Sequence, residues 1–159
     1  MKTLLLGLGN ELYGDDGVGI RVVRKIKEEA AKKKPPEPAF EDVVIEECSL
    51  SGLAILDVIV GYDRLVLVDT IKRALPVPGR VHLLEEKHIR AVPGPSPHYV
   101  SIPQMIELGR KLGLHVPSRI RIVAVEAHNI YRLGEGLSPQ VEERLQSIIQ
   151  SVEDILAQD

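Results

Sequence analysis

Short uninterrupted apolar runs alternate along this chain with longer stretches in which apolar residues return every three or four positions. Leu4-Leu5-Leu6, ended by Gly7, reads as a strand covered on both faces. From Val18 onward, Val18, Val22, Val23, Ile26 and Ala30 keep helical spacing while Arg21, Arg24, Lys25, Lys27 and Glu28 fill the opposite face. Pro35-Pro36-Glu37-Pro38 stops that helix. Val43-Val44-Ile45 gives a second strand, and Ser49 to Gly52 leads into a second helix reaching about Val60. Leu65-Val66-Leu67-Val68, ended by Asp69, reads as a buried third strand, and Val81 to Leu84 as a fourth. Lys87 to Tyr99 is a loop by composition, with Pro93, Gly94, Pro95 and Pro97 around Ser96 and His98. A helix follows, with Ser101 as its cap and Ile102, Met105, Ile106, Gly109 and Leu112 on one face. Ile120 to Val125 forms a fifth strand. After Ser138-Pro139, a cap with proline at the first helical position, a last helix buries Val141, Leu145, Ile148, Ile149, Val152, Ile155 and Leu156.

This alternation predicts an α/β sandwich around a mainly parallel sheet. The connector from Thr70 to Arg80 contains Pro76 and Pro78 and is too short for a helical crossover, so the fourth strand is expected to run antiparallel to the third as its hairpin partner. At 159 residues the chain is expected to be one domain, 1–159.

A net charge of −3 without a basic cluster interleaved with aromatics argues against nucleic acid as a partner. A single cysteine, Cys48, excludes an internal disulfide and fits a reducing compartment. The N-terminal apolar run is too short for a signal peptide or a membrane span. A cytoplasmic protein without a membrane partner is therefore expected.

Between the first strand and first helix lies Gly7-Leu8-Gly9-Asn10-Glu11-Leu12-Tyr13-Gly14-Asp15-Asp16-Gly17-Val18-Gly19. Such glycine density points to a shaped loop, and a dinucleotide fingerprint is the first reading to test. Leu12 stands where the third glycine of that fingerprint belongs, and Asp15 and Asp16 would repel a phosphate at the helix start. From the loop alone the acid pair reads first as a helix cap, with Asp15 the better placed.

In a doubly wound sheet the ligand crevice lies beyond the carboxyl ends of the strands, where the winding reverses. If the first three strands are ordered 2-1-3, Asp16 and Asp69 face the same crevice. Two converging carboxylates repel each other unless one is protonated or a cation lies between them, and a metal ion meets that need. An imidazole would complete the set. Among His82, His88, His98, His115 and His128, His98 stands out because its proline-rich loop can hold it over a sheet edge. Two carboxylates and an imidazole suit nickel, zinc or manganese with positions open to a substrate. Neither H-E-x-x-H nor a nucleophile elbow is present.

These residues resemble the hydrogenase maturation endopeptidases, which act on large-subunit precursors of nickel–iron hydrogenases. The similarity runs from GLGNELYGDDGVG through VDTIK, PGRVHLL, SPHYVSIPQMIELGRKLG and RIVAVEA to GLSPQVEERL, nearly the whole chain. It implies a three-layer α/β/α sandwich with a mostly parallel five-stranded sheet of order 2-1-3-5-4, its fourth strand antiparallel at an edge, and so contradicts the simple hairpin. It implies an endopeptidase that removes a C-terminal extension from the precursor. Asp16, Asp69 and His98 match the family's nickel-recognising positions, and Asp16 and Asp69 are the catalytic candidates. The nickel is supplied by the precursor, and other divalent metals could occupy the same set. Asp16 stands where many relatives have Glu, Ala127 replaces a usual proline, and the segment after Asp69 is slightly long. A non-enzymatic nickel-binding assembly factor and a small nucleotide-binding domain remain as alternatives.

Overall fold

The structure is a computed structural model and describes residues 1–50, 52–89, 102–128, 130, 132–134 and 136–158. Its strands are β1 (Thr3–Leu8), β2 (Val43–Cys48), β3 (Arg64–Ile71), β4 (Val81–Glu85) and β5 (Arg119–Glu126). Its helices are α1 (Val18–Lys32), α2 (Leu53–Ile59), α3 (Glu86–Ile89), α4 (Ile102–Lys111) and α5 (Pro139–Leu156). One five-stranded sheet has the order β2-β1-β3-β5-β4. β1 pairs in parallel with β2 and β3, β3 in parallel with β5, and β4 runs antiparallel to β5.

Side chains alternate across a strand, so each central strand supplies both layers of core. Leu4, Leu6, Leu65, Leu67, Ile120 and Ile122 pack with Ile55 and Ile59 of α2 and Ile102 and Ile106 of α4. On the other face, Leu5, Val66, Val68, Val123 and Val125 meet Val22 and Ile26 of α1 and Val141, Ile148 and Val152 of α5. Each such buried side chain contributes about 1.5–3 kcal/mol of transfer free energy. The result is the three-layer α/β/α sandwich expected from the family resemblance. Among the described residues, no helix is long and apolar enough to cross a membrane.

Two expectations from local pattern are corrected. β4 is not a hairpin partner of β3; β5 lies between them. The connector passes over the end of β5, where the Gly79 amide donates to the Glu126 carbonyl (2.8 Å) and the Glu126 amide to the Arg80 carbonyl (2.9 Å). Its length rules out a helix but allows it to span one strand width. Leu112 is 62% exposed rather than part of the buried face, because α4 ends at Lys111 and Leu112 belongs to the closing turn. Ser101, expected as the cap of α4, lies outside the described residues.

At the other end of the sheet, Arg64 is buried at the start of β3 and donates to the Ile155 carbonyl (2.5 Å) and the Leu156 carbonyl (3.5 Å). A cation at the last carbonyls of α5 satisfies the groups a helix end leaves open and suits its dipole.

The first turn of α1 lies directly on the strand ends. A Cβ on Gly19 would collide with the carbonyl oxygens of Val68 and Leu8, and one on Gly7 with the Gly19 carbonyl and, at 2.6 Å, a Val23 methyl. Helix propensity alone makes Gly19→Ala stabilising by about 1 kcal/mol, whereas forcing a methyl into a packed contact costs about 1–3 kcal/mol. Urea denaturation of Gly19→Ala should therefore show a lowered midpoint. A midpoint equal to or above wild type would mean that the helix does not depend on this close approach.

Candidate active site

Beyond the ends of β1 and β3 the chain is held by its own backbone and a few charged side chains. The Gly9 amide donates to the Cys48 carbonyl (3.1 Å), and the Leu12 amide donates to Asn10 Oδ1 (3.0 Å) in a local turn. Glu11 accepts from both terminal nitrogens of Arg24 on α1 (2.9 and 3.2 Å). The same guanidinium donates to Glu47 at the end of β2 (2.9 and 2.7 Å). These bonds, to Glu47 first and Glu11 second, raise the Arg24 pKa, and the pairing holds the Glu47 carboxyl below its usual range. An open groove of about 610 Å³ runs beside this loop, lined by Asn10, Glu11, Leu12, Glu47, Cys48 and Ser49 among others.

The loop leads into a single 3-10 turn, Gly14–Gly17, which carries both adjacent acids in buried positions. Asp16 is 5% exposed; its Oδ2 accepts from the Asn10 amide (2.9 Å) and its Oδ1 from the Thr70 hydroxyl (3.0 Å). Thr70 follows Asp69 on β3, and its amide donates to Asp69 Oδ1 (2.8 Å). Both Asp69 and Thr70 are wholly buried. One threonine therefore binds both sequence-predicted carboxylates, its hydroxyl to one and its amide to the other. The order β2-β1-β3 that the crevice argument assumed is present.

Asp15 is turned the other way and does not cap α1, whose N-cap position is Gly17 without a side-chain bond. Its Oδ1 accepts from the Ser138 amide (2.6 Å), and its Oδ2 from the Ser138 hydroxyl (2.8 Å) and the His128 amide (3.0 Å). The serine stands at the N-cap position of α5, with Pro139 after it as expected, but its hydroxyl is spent on Asp15 and not on its own helix. A backbone bridge between Tyr13 and Gly134 runs alongside. The 3-10 turn and the start of α5 are thereby one unit.

His98 lies outside the described residues. Three other histidines have partners away from the acid pair: His82 Nε2 is 2.9 Å from Glu126, His115 Nε2 is 2.9 Å from Asp63, and His88 Nδ1 accepts from the Glu85 amide at 3.1 Å. The His128 side chain is exposed. Among the described residues, no group of three or more His, Cys, Asp or Glu side chains is placed to hold a metal. In such a set Asp16 and Asp69 would be the carboxylate part, and a third donor would have to come from outside those residues.

Comparison with known proteins identifies the family. The family model described as HycI, hydrogenase maturation protease, matches residues 20–155. The chain belongs to the hydrogenase maturation protease family. A similar relative is the hydrogenase 2 maturation protease of Escherichia coli K12, 25% identical over 154 residues, covering 96% of this chain and 88% of that protein. The hydrogenase expression/formation protein HupD of Thiocapsa roseopersicina is 26% identical over 160 residues, 99% of this chain and 68% of its own length. The solved structure of the E. coli maturating endopeptidase HybD superposes with a TM-score of 0.78 at 25% identity, covering 98% of this chain and 92% of that one. The protein is thus an endopeptidase of hydrogenase maturation.

In this maturation protease a fourth buried acid sits at the same end of the sheet. Glu126, 1% exposed at the end of β5, accepts from the Val77 amide (3.3 Å) and faces His82 (2.9 Å), with Arg80 at 3.6 Å and Arg73 at 3.9 Å. Burial pushes its carboxyl up, but the bonds from His82 and the Val77 amide, with the charges of His82 and Arg80, more than reverse this and leave it below the usual 4.5. Nothing local in the sequence marks Thr70 or the role of Asp15, since each finds its partners on distant elements, and Glu126 is marked there only as the family acid that precedes Ala127.

Thr70→Val leaves a buried Asp16 oxygen without this donor, which costs about 1–3 kcal/mol, while Thr70→Ser keeps it. Chemical denaturation should rank wild type, Ser and Val in that order; equal losses would put the contribution in the methyl packing. Glu126 has a lowered folded pKa, so its stabilisation is present above 4.5 and is lost as pH falls through the folded value, where the native state takes up a proton the unfolded chain already holds. The denaturation midpoint of wild type should therefore fall more steeply with acidification below that value than that of Glu126→Gln. Parallel pH profiles would show that Glu126 is not coupled to folding.

Proposed function

We propose that this endopeptidase removes a C-terminal extension from the large-subunit precursor of a nickel–iron hydrogenase, in the cytoplasm, after nickel has been inserted. The observation that carries the reading is the meeting of Asp16, from the 3-10 turn after β1, and Asp69, from β3, around Thr70. Family membership supplies the endopeptidase chemistry, and the paired carboxylates supply a place for a cation. His98 is assigned as the imidazole of the set. The nickel belongs to the substrate; held by the precursor, it marks a finished centre and presents positive charge to the acids. Cadmium or zinc could stand in for it.

Asp16 is built to act in a fixed geometry. The Asn10 amide and the Thr70 hydroxyl each hold one of its oxygens. A carboxylate so oriented can accept a proton from a water attacking the scissile carbonyl, and Asp69 on the adjacent strand fixes the side from which the precursor must approach. The groove beside Asn10 and Leu12, on the loop that leads into the 3-10 turn of Asp16, has room for an extended chain.

The test is incubation of the nickel-loaded precursor with the enzyme, read by mass. Wild type should release the extension. Asp16→Asn and Asp69→Asn should keep near-native melting while cleavage falls by about two orders of magnitude or more, the scale of general acid–base groups. A folded Asp16→Asn enzyme that cuts normally would overturn the assignment. Stable binding of the precursor without cutting by wild type would make the protein an assembly factor.

A further inference from the structure

The β3–β4 connector places more positive charge beside the site than Glu126 needs. Glu126 already has His82 and the Val77 amide within hydrogen-bond distance. Arg73 and Arg80 approach it through Nε at 3.9 and 3.6 Å, too far for hydrogen bonds, and remain 40% and 55% exposed. The stem of Arg144, from the second turn of α5, lies against Gly79, where a Cβ would be 2.7 Å from its Cδ. Among the described residues, none of these three guanidinium groups donates a hydrogen bond, and Arg144 has no ion pair. Two guanidinium groups thus share one buried carboxylate and a third beside Gly79 has none, in a chain whose net charge is −3.

Their place relative to the acids is set by the sheet. Asp69 is in register with Ala124, two residues before Glu126 on the neighbouring strand. At about 3.3 Å per residue along a strand and about 4.8 Å between strands, Glu126 is about 8 Å from Asp69. About three residues of extended chain cover that distance.

We propose that Arg73, Arg80 and Arg144 form a carboxylate subsite that takes an anionic group of the precursor's C-terminal extension a few residues beyond the cleaved bond. Guanidinium forks match carboxylates in geometry, and three on one rim draw an acidic chain across the crevice while the acids take the cationic end of the substrate. The subsite rests on the reading of the crevice as the cleavage site. It governs binding and register of the extension and leaves the chemical step to the acids.

Kinetics on the nickel-loaded precursor test it, together with NMR titration of synthetic extension peptides. The peptides are compared with a free or amidated terminus, and with Asp and Glu replaced by Asn and Gln. The combined change Arg73→Gln, Arg80→Gln and Arg144→Gln should raise KM about tenfold with kcat within twofold, the scale of three exposed ion pairs. It should also flatten the salt dependence of KM. Arg144→Glu, which does not touch Glu126, should raise KM in a protein with wild-type melting and so keeps the test valid if the combined variant is unstable. Loss of peptide binding on amidation identifies the terminal carboxylate, and loss on neutralising the side chains identifies an acidic residue; binding indifferent to both overturns the subsite. Unchanged KM in a stable Arg144→Glu enzyme also overturns it. Failure of wild type to cut the precursor would instead count against the cleavage reading, and the peptide titration would still decide the subsite.

Discussion

A side chain at residue 19 would strike the carbonyl oxygens of Leu8 and Val68, and the active edge is built on the absence of that atom. Glycine lets the first turn of α1 lie directly on the ends of β1 and β3. The 3-10 turn before it is thereby brought to the point where the sheet changes winding direction, within reach of Thr70. A helix held one side chain further away would leave the Thr70 hydroxyl short of Asp16, since a hydrogen bond of 3.0 Å has little slack. Gly7, below the same turn, meets the same constraint from the strand side.

From that contact outward, the loops are tied in pairs. Arg24 joins the Asn10–Leu12 loop to β2 through Glu11 and Glu47, and Asp15 joins the 3-10 turn to the start of α5. Asp15 and Asp16 are neighbours in sequence with opposite duties: one gathers three donors from the segment before α5, and the other faces β3. The buried Glu126 does for the β3–β4 connector what Asp15 does for α5, using one carboxylate to hold a loop over a strand end. Each of these acids is fully engaged by donors, which is what makes burying them tolerable.

The elements and their layering were legible in the sequence because burial imposes a period. Leu4 to Leu6 and Leu65 to Val68 are apolar at consecutive positions, as strands covered on both faces must be, and α1 repeats at helical spacing. Asp16 and Asp69 can be paired from sequence because one follows the first strand and the other closes the apolar run of the third, although β3 itself continues to Ile71. The hairpin expected between β3 and β4 failed because the connector's length limits its reach without naming its neighbour. Asp15 is not the cap the sequence suggests, because a carboxylate beside a helix start looks the same in sequence whether it serves that helix or another about 120 residues away, as Ser138 is from Asp15. Thr70 had no signature of its own; its partner follows from the register that sets Gly7 against Val68.

On the proposed function, the carboxylates meeting at Thr70 receive the metal-bearing end of the substrate. Anomalous diffraction from crystals soaked in cadmium or nickel tests it most directly. One strong peak is expected between Asp16 and Asp69, at coordination distances of about 2.0–2.3 Å, with the His98 imidazole as a further ligand. No peak between the two carboxylates, or a metal held at Glu126 and His82 instead, would contradict it.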